Sequence, residues 1–207
     1  MTGAPSNGMR KTSTDRRQIL DSAIRLFRAN GYHATSMQDI ADDVGILKGS
    51  LYHHIRSKEE LLVETLEASV DDLLSSVNAV LEAPLTPRER LRRTIAVQLE
   101  AMARHQSEIL IWLTERRRAQ NELATIEVRV REVDALLRQV VEQDAAAAAA
   151  DTQDSRLLFE AIRGMLTSFP SWYRPKRDDV GQIAETFADF AQAMIEMQAS
   201  PAEAAGG

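Results

Sequence analysis

Residues 35 to 62 read Thr35-Ser36-Met37-Gln38-Asp39-Ile40-Ala41-Asp42-Asp43-Val44-Gly45-Ile46-Leu47-Lys48-Gly49-Ser50-Leu51-Tyr52-His53-His54-Ile55-Arg56-Ser57-Lys58-Glu59-Glu60-Leu61-Leu62. Ser36 followed three residues later by Asp39 has the form of a capping box, and Gly45 is a helix stop, so Ile40, Ala41 and Val44 belong to a helix of only two turns. A second short helix is predicted from about Leu47 to Ile55. Ser57, with Glu60 at the third helical position, then opens a much longer one whose apolar stripe is Leu62, Leu66, Val70, Leu73, Val77 and Leu81. Upstream, Ile19, Ala23, Leu26 and Phe27 mark a helix over about residues 15–30, ended by Asn30-Gly31. Three short helices with a tight Val44-Gly45-Ile46 turn have the proportions of a helix-turn-helix, whose last helix enters a DNA major groove. A plain three-helix bundle with a bend at Gly45 has the same outline, and the residue content separates the two. Leu51 and Ile55, four apart, share one inward face, while Lys48, Gly49, Ser50, Tyr52, His53 and His54 are small, basic or hydrogen-bonding. Lys58 sits in the first turn of the following helix, where a cation opposes the macrodipole unless an anion such as a phosphate docks there.

The composition around this stretch excludes several classes. The 207 residues are 44% hydrophobic and 27% charged, ample for a buried core. There is no cysteine, hence no disulfide framework, thiolate zinc site or cysteine nucleophile. The longest uninterrupted aliphatic or aromatic run, Ile109 to Leu113, falls far short of the ~20 residues that span a bilayer, which points to a cytoplasmic protein without membrane partners. With Ala, Leu, Glu, Arg and Gln abundant and only 9 Gly and 6 Pro, the expected fold class is all-α. The net charge of −6 hides an asymmetry: residues 1–62 carry nine Lys or Arg against seven Asp or Glu, a balance of +2, leaving −8 for the rest.

The organisation expected is an arm over 1–13, disordered until a partner orders it, a helix-turn-helix domain over 14–62, a helical bundle over 63–198, and a disordered tail over 199–207. In the bundle, Thr86-Pro87-Arg88-Glu89 combines an N-cap, an N1 proline and an N3 acid, and the helix it starts carries Leu91, Ile95, Leu99 and Met102. Further helices are predicted around Glu108 to Arg118, along Leu123, Ile126, Val130, Val133, Leu137 and Val140, from Leu158 to an end at Pro170, and along Ile183 to Met197. The alanine run 145–150 fits either a prolonged helix or a connection.

The ordered set Thr35 to Ala41, Val44-Gly45-Ile46, Lys48 to Ile55 and Ser57 to Leu62, preceded by Ile19-Leu20-Asp21-Ser22-Ala23 and Phe27, closely resembles the DNA-binding domain of TetR-family transcriptional regulators over nearly fifty residues. The resemblance implies phosphate contacts from Tyr52, His53 and Lys58, a backbone anchor at Thr35 or Ser36, and base contacts from the start of the recognition helix at Leu47, Lys48, Gly49 and Ser50. Lysine donates to guanine O6 or N7 and leucine packs on a thymine methyl, so sequence choice is expected mostly at Leu47 and Lys48. Arg17 is a further phosphate candidate, with Arg10 and Lys11 in the arm. The resemblance also implies a homodimer through the last two helices, which suits a two-fold reader of near-palindromic double-stranded operator DNA, and repression relieved by a small-molecule effector.

Ser171-Trp172-Tyr173-Arg174-Pro175 and Gly49-Ser50-Leu51-Tyr52-His53-His54 are similar to segments of the branch that regulates fatty-acid and sterol breakdown, which implies an acyl-CoA thioester as effector and no cofactor. Candidate ligand contacts are Met102, Trp112, Leu113, Met165 and Trp172, with Arg163 for a phosphate or carboxylate; for Trp172 and Tyr173, simple packing of the loop into the bundle is the competing reading. Adjacent His53 and His54 point about 100° apart on a helix, unlike an i,i+4 metal pair, so no metal site is assigned. No nucleophile elbow, P-loop, zincin or dinucleotide motif occurs, and no catalytic residues are assigned. The reading from another class is a helical protein-interaction module with a non-functional helix-turn-helix; Lys48, Tyr52 and Lys58 together argue against it.

Overall fold

The computed structural model describes residues 16–117, 119, 121, 123–149 and 155–199. The arm with Arg10 and Lys11, the tail from residue 200, and Ala150 lie outside them. Every described regular element is helical: α1 (Arg16–Asn30), α2 (Met37–Val44), α3 (Lys48–Leu51), α4 (Lys58–Glu82), α5 (Pro87–Arg104), α6 (Gln106–Glu115), α7 (Ala124–Ala147), α8 (Ser155–Trp172) and α9 (Val180–Ala199).

The start and stop signals operate as chemistry. The Ser36 hydroxyl accepts from the Asp39 backbone N–H at 3.1 Å while the Asp39 carboxylate accepts from the Ser36 N–H at 2.7 Å, and Thr86 with Glu89 repeats the arrangement at the head of α5. Gly45 ends α2 at φ 78°, in the left-handed region that a side chain disfavours. Three expectations are corrected. The helix expected over Leu47–Ile55 is α-helical only from Lys48 to Leu51; turn bonds, including the Ile55 N–H to the Leu51 carbonyl at 3.0 Å, carry the chain onward. α8 does not end at Pro170 but runs on to Trp172. The missing N–H of Pro170 costs the last turn one bond. Burial of Phe169, Pro170 and Tyr173 offsets it, and the Gln106 amide donates to the Pro170 and Tyr173 carbonyls at 2.8 and 2.9 Å. Ala199, expected to begin the tail, closes α9. The alanine run prolongs α7 through Ala147, and Ala148 and Ala149 turn away from it.

Two cores follow. The larger part of one gathers Ile19, Ala23, Phe27, Ile40, Leu51, Ile55 and Leu62 from the three-helix head, and it continues without a break into Leu66, Val70, Ile111, Leu123 and Ile126 of α4, α6 and α7. The other packs Leu91, Ile95 and Leu99 of α5 against Leu137, Val140 and Val141 of α7 and the inner faces of α8 and α9. The boundary expected at residue 62 therefore falls within α4, a 25-residue helix that belongs to both parts.

Candidate DNA interface and ligand cavity

On α3, two leucines four residues apart do opposite things. Leu51 is 0% exposed in the core with Ile55, which fixes the roll of the short helix, and Leu47 at its N-cap is 79% exposed. Lys48 and Gly49 are exposed beside Leu47, Ser50 is half-buried, and Tyr52 (46% exposed) and His53 project from the exit turn. This outward surface brings together the base-contact candidates and two of the phosphate candidates. Lys58, at the first position of α4, is drawn toward the head: its Nζ lies 4.3 Å from the Tyr32 ring centroid and donates to the His33 carbonyl at 3.4 Å. Ser36 is exposed at the N-cap of α2, and Arg17 is exposed on the first turn of α1.

Thr35 is a correction. It is 1% exposed, and its hydroxyl donates to the Gly31 carbonyl at 2.9 Å, with the Leu26 carbonyl at 3.3 Å. Buried and engaged, its hydroxyl closes the α1–α2 turn, and of the two anchor candidates Ser36 is the exposed one. Arg16 is the residue that motif reading missed. It pairs with Glu64 of α4, donates to the His54 carbonyl and lies 3.5 Å from Glu60, so it ties α1 and the exit of α3 to α4. The hydrogen bond to Glu64 holds its pKa above the usual arginine value. A basic side chain opening a helix, with no acid in that first turn, was the available signal.

A cavity of about 330 Å³ lies among α4, α5, α6, α7 and α8. Its wall is apolar over Leu66, Val70, Met102, Trp112, Leu113 and Leu137; the charged groups that interrupt it are Arg116, Glu127, Arg131, Asp134 and Arg163, and Gln98 is among the neutral polar ones. Four of the six expected ligand residues, Met102, Trp112, Leu113 and Arg163, therefore line one space. Met165 and Trp172 are outside it. α8 faces the cavity with Arg163, Thr167 and Pro170, spaced four and three, and Met165 falls on another side of the helix. Trp172, 41% exposed at the end of α8, packs edge-on against Phe169, with centroids 5.4 Å apart, and its indole donates to Ser168 at 3.4 Å. Arg163 is already engaged, donating to Glu160 at 3.1 and 2.6 Å, and its pKa is raised by that bond. Asp134 is pushed up by burial, despite the nearby Arg163 charge. Among the described residues, no group of three His, Asp or Glu side chains is placed to hold a metal ion, and no helix is long and apolar enough to cross a membrane.

The two sites share walls. α6 packs along α1, and its Glu115, 3% exposed, brings a carboxylate oxygen to 3.5 Å from His33 Nε2 in the α1–α2 turn, without hydrogen-bond alignment. The neighbours of Glu115 on α6, Trp112 and Arg116, line the cavity, as do Leu66 and Val70 of α4. α4 and α6 therefore touch both the head and the cavity.

Residues 19–65 match the bacterial regulatory proteins of the tetR family, and residues 84–195 match the tetracyclin repressor-like C-terminal domain. The chain is 32% identical over 172 residues to the HTH-type transcriptional repressor KstR2 of Mycobacterium tuberculosis (strain ATCC 25618 / H37Rv), covering 80% of this chain and 84% of that protein. The structure of the ketosteroid transcriptional regulator KstR2 of Mycobacterium tuberculosis superposes with a TM-score of 0.78 at 29% identity, over 86% of this chain and 93% of that one. AibR in complex with isovaleryl coenzyme A and operator DNA gives 0.69 at 28%, over 90% and 99%. The relatives are transcription regulators, not enzymes. The chain belongs to the TetR family of bacterial transcription regulators, with its helix-turn-helix in α2 and α3.

Proposed function

We propose that this chain is a homodimeric repressor that binds near-palindromic operator DNA in the cytoplasm and is released from it by an acyl-CoA-type effector. The observation that carries the reading is the sharing of α4 and α6 between the cavity and the DNA-facing head. Leu47, Lys48, Gly49 and Ser50 meet base edges, while Arg17, Ser36, Tyr52, His53 and Lys58 hold phosphates and set the register. Exposed apolar side chains on α8 and α9, Leu157, Phe190 and Met197, form the face that a second copy covers, building a four-helix interface. The apolar wall takes the acyl body. Arg163 takes a phosphate or carboxylate by exchanging its Glu160 partner for the ligand's anion. The named precedents support both halves: KstR2 is described as a repressor, and AibR as a complex with a CoA thioester and operator. Filling the cavity favours a second arrangement of α4 and α6, in which the two heads no longer match successive grooves.

The test is a titration of the protein against its own upstream DNA and a scrambled duplex, at low and moderate salt, with and without a panel of acyl-CoA thioesters. Preferential upstream binding that weakens steeply with salt and is reversed by a thioester supports the reading. Equal affinity for the two duplexes contradicts it.

A further inference from the structure

The recognition helix is too short to hold its own orientation. α3 is a single turn, Lys48–Leu51, with no side-chain bond at its N-cap, and an isolated turn of this length has no stability in water. It packs chiefly on α2, and Leu51 and Ile55 anchor it in the core by apolar contacts that carry no direction. Groups that read base edges must be held to within about 0.5 Å and 10–20°, and apolar burial alone does not enforce that tolerance. The directional tie comes from outside the motif. Arg16, at the first position of α1, presents its guanidinium fork to the Glu64 carboxylate on α4, Nε donating to Oε1 at 2.6 Å and Nη2 to Oε2 at 2.5 Å. Its third nitrogen, Nη1, donates to the His54 carbonyl in the exit turn of α3. Nη2 also lies 3.5 Å from Glu60 Oε1, and the other oxygen of Glu60 accepts from the Arg56 N–H of the same turn at 2.8 Å.

All three guanidinium nitrogens are therefore engaged by the protein, and two carboxylates balance the charge, so Arg16 is not placed as one more phosphate contact. Nor is the cluster built for stability. The Arg16 side chain is 43% exposed and that of Glu64 25%, and ion pairs so open to water contribute little to folding. A planar fork supplies geometry instead: it fixes distance and plane together, which an ammonium group on a flexible stem does not. Through it the His54 carbonyl, three residues beyond Leu51, is set against α4.

We infer that Arg16 is a positioning residue for operator recognition: without touching DNA, it holds the exit of α3 to α4 at the angle that lets Leu47 and Lys48 meet their bases. Its loss then costs discrimination between sequences, whereas the loss of a phosphate contact costs affinity for every sequence alike. This role rests on α3 facing operator DNA and is independent of any effector.

The test uses the duplex that the wild-type chain selects from a randomised DNA pool and a scrambled duplex of the same length. Affinity for each is measured at several salt concentrations, with Tm alongside, for the full-length wild type, Arg16→Lys, Glu64→Gln and the double variant. Arg16→Lys keeps the charge and loses the fork. It is expected to bind the selected duplex about tenfold more weakly, the scale of one misplaced base contact, with scrambled-duplex affinity and salt slope unchanged. Its Tm should fall by no more than about 4 °C, as suits an exposed pair. Glu64→Gln removes a negative charge from the head, so electrostatics alone would tighten both duplexes; loss of the clamp instead weakens the selected one. The double variant is expected to be no worse than either single variant, because both remove the same tie. Wild-type discrimination in Arg16→Lys, tighter binding of the selected duplex by Glu64→Gln, an equal loss on both duplexes, or a Tm loss as large as that of a core truncation overturns the role. If the wild type selects no sequence from the pool, the operator reading itself falls, and the role of Arg16 with it.

Discussion

Leu47 and Leu51 are the same residue, four positions apart, and replacing each by alanine should give opposite signatures. Leu51 is 0% exposed, so Leu51→Ala removes three buried carbons, worth about 2.4 kcal/mol at ~0.8 kcal/mol per carbon. The cavity left behind adds to this, and the range for such truncations is about 2–5 kcal/mol. For a chain of this size each kcal/mol moves the midpoint by about 2–4 °C, so a Tm loss of roughly 6–12 °C is expected for a cost near 3 kcal/mol. Leu47 is 79% exposed, makes no side-chain cap, and has no buried contact to lose; Leu47→Ala should leave Tm within about 2 °C. In operator titrations below either midpoint, Leu47→Ala loses affinity mainly at one base position of each half-site, by about tenfold for a lost thymine-methyl contact. Thermal denaturation and titration against a base-substituted operator series read both effects. A Tm drop for Leu47→Ala matching that of Leu51→Ala, or unchanged operator selectivity, would refute the assignment of outward and inward faces.

Three further outcomes follow from particular contacts. Lys58→Met should weaken operator and scrambled DNA by the same factor and lower the salt slope by about one, as the loss of one phosphate contact does; a change confined to the operator contradicts its positioning role. Phe190→Glu, at an exposed site on α9, should give monomers in sedimentation and lose tight operator binding, and a dimer that persists would move the interface elsewhere. His105 lies 3.3 Å from Glu108 and 3.1 Å from Asp72, with Arg104 on the same Asp72 carboxylate, and its pKa is raised, chiefly by the Glu108 bond and against burial. A raised histidine contributes stability that is fully present below its unfolded value of about 6.5 and is lost as pH rises through the higher folded value. Urea midpoints taken across neutral and mildly alkaline pH should therefore fall more for the wild type than for His105→Gln, and parallel curves would remove His105 from the account.

The head was readable because its signals are local. A cap hydroxyl and its acid lie three residues apart, and Gly45 answers to the backbone angle of one residue, so Ser36, Asp39 and Gly45 needed no knowledge of the rest of the chain. The burial of Thr35 was not legible, because it depends on the Leu26 and Gly31 carbonyls, which the α1–α2 turn brings to it. Pro170 looked like a helix end, yet Gln106, distant in sequence, supplies the hydrogen bonds that let α8 continue. In the bundle, periodicity identified the helices but not the rotation of each about its axis. Leu73 and Leu81 accordingly ended up only partly buried while Leu74 and Val80 went inside, and Met165 turned away from the cavity that Arg163 faces. Gln98 was visible in principle as a polar residue at an apolar register. That it lines a cavity depends on α6 and α7, which sequence periodicity does not place.

Coupling between cavity and head is the central claim, and linkage tests it in both directions. The measurement is the affinity of a releasing thioester for the protein alone and for the protein saturated with its own upstream operator, beside the operator affinity with and without saturating thioester. Shared α4 and α6 walls predict that each ligand weakens the other by the same factor, of the order of 5–150-fold. Thioester affinity that is unchanged by operator would contradict the account.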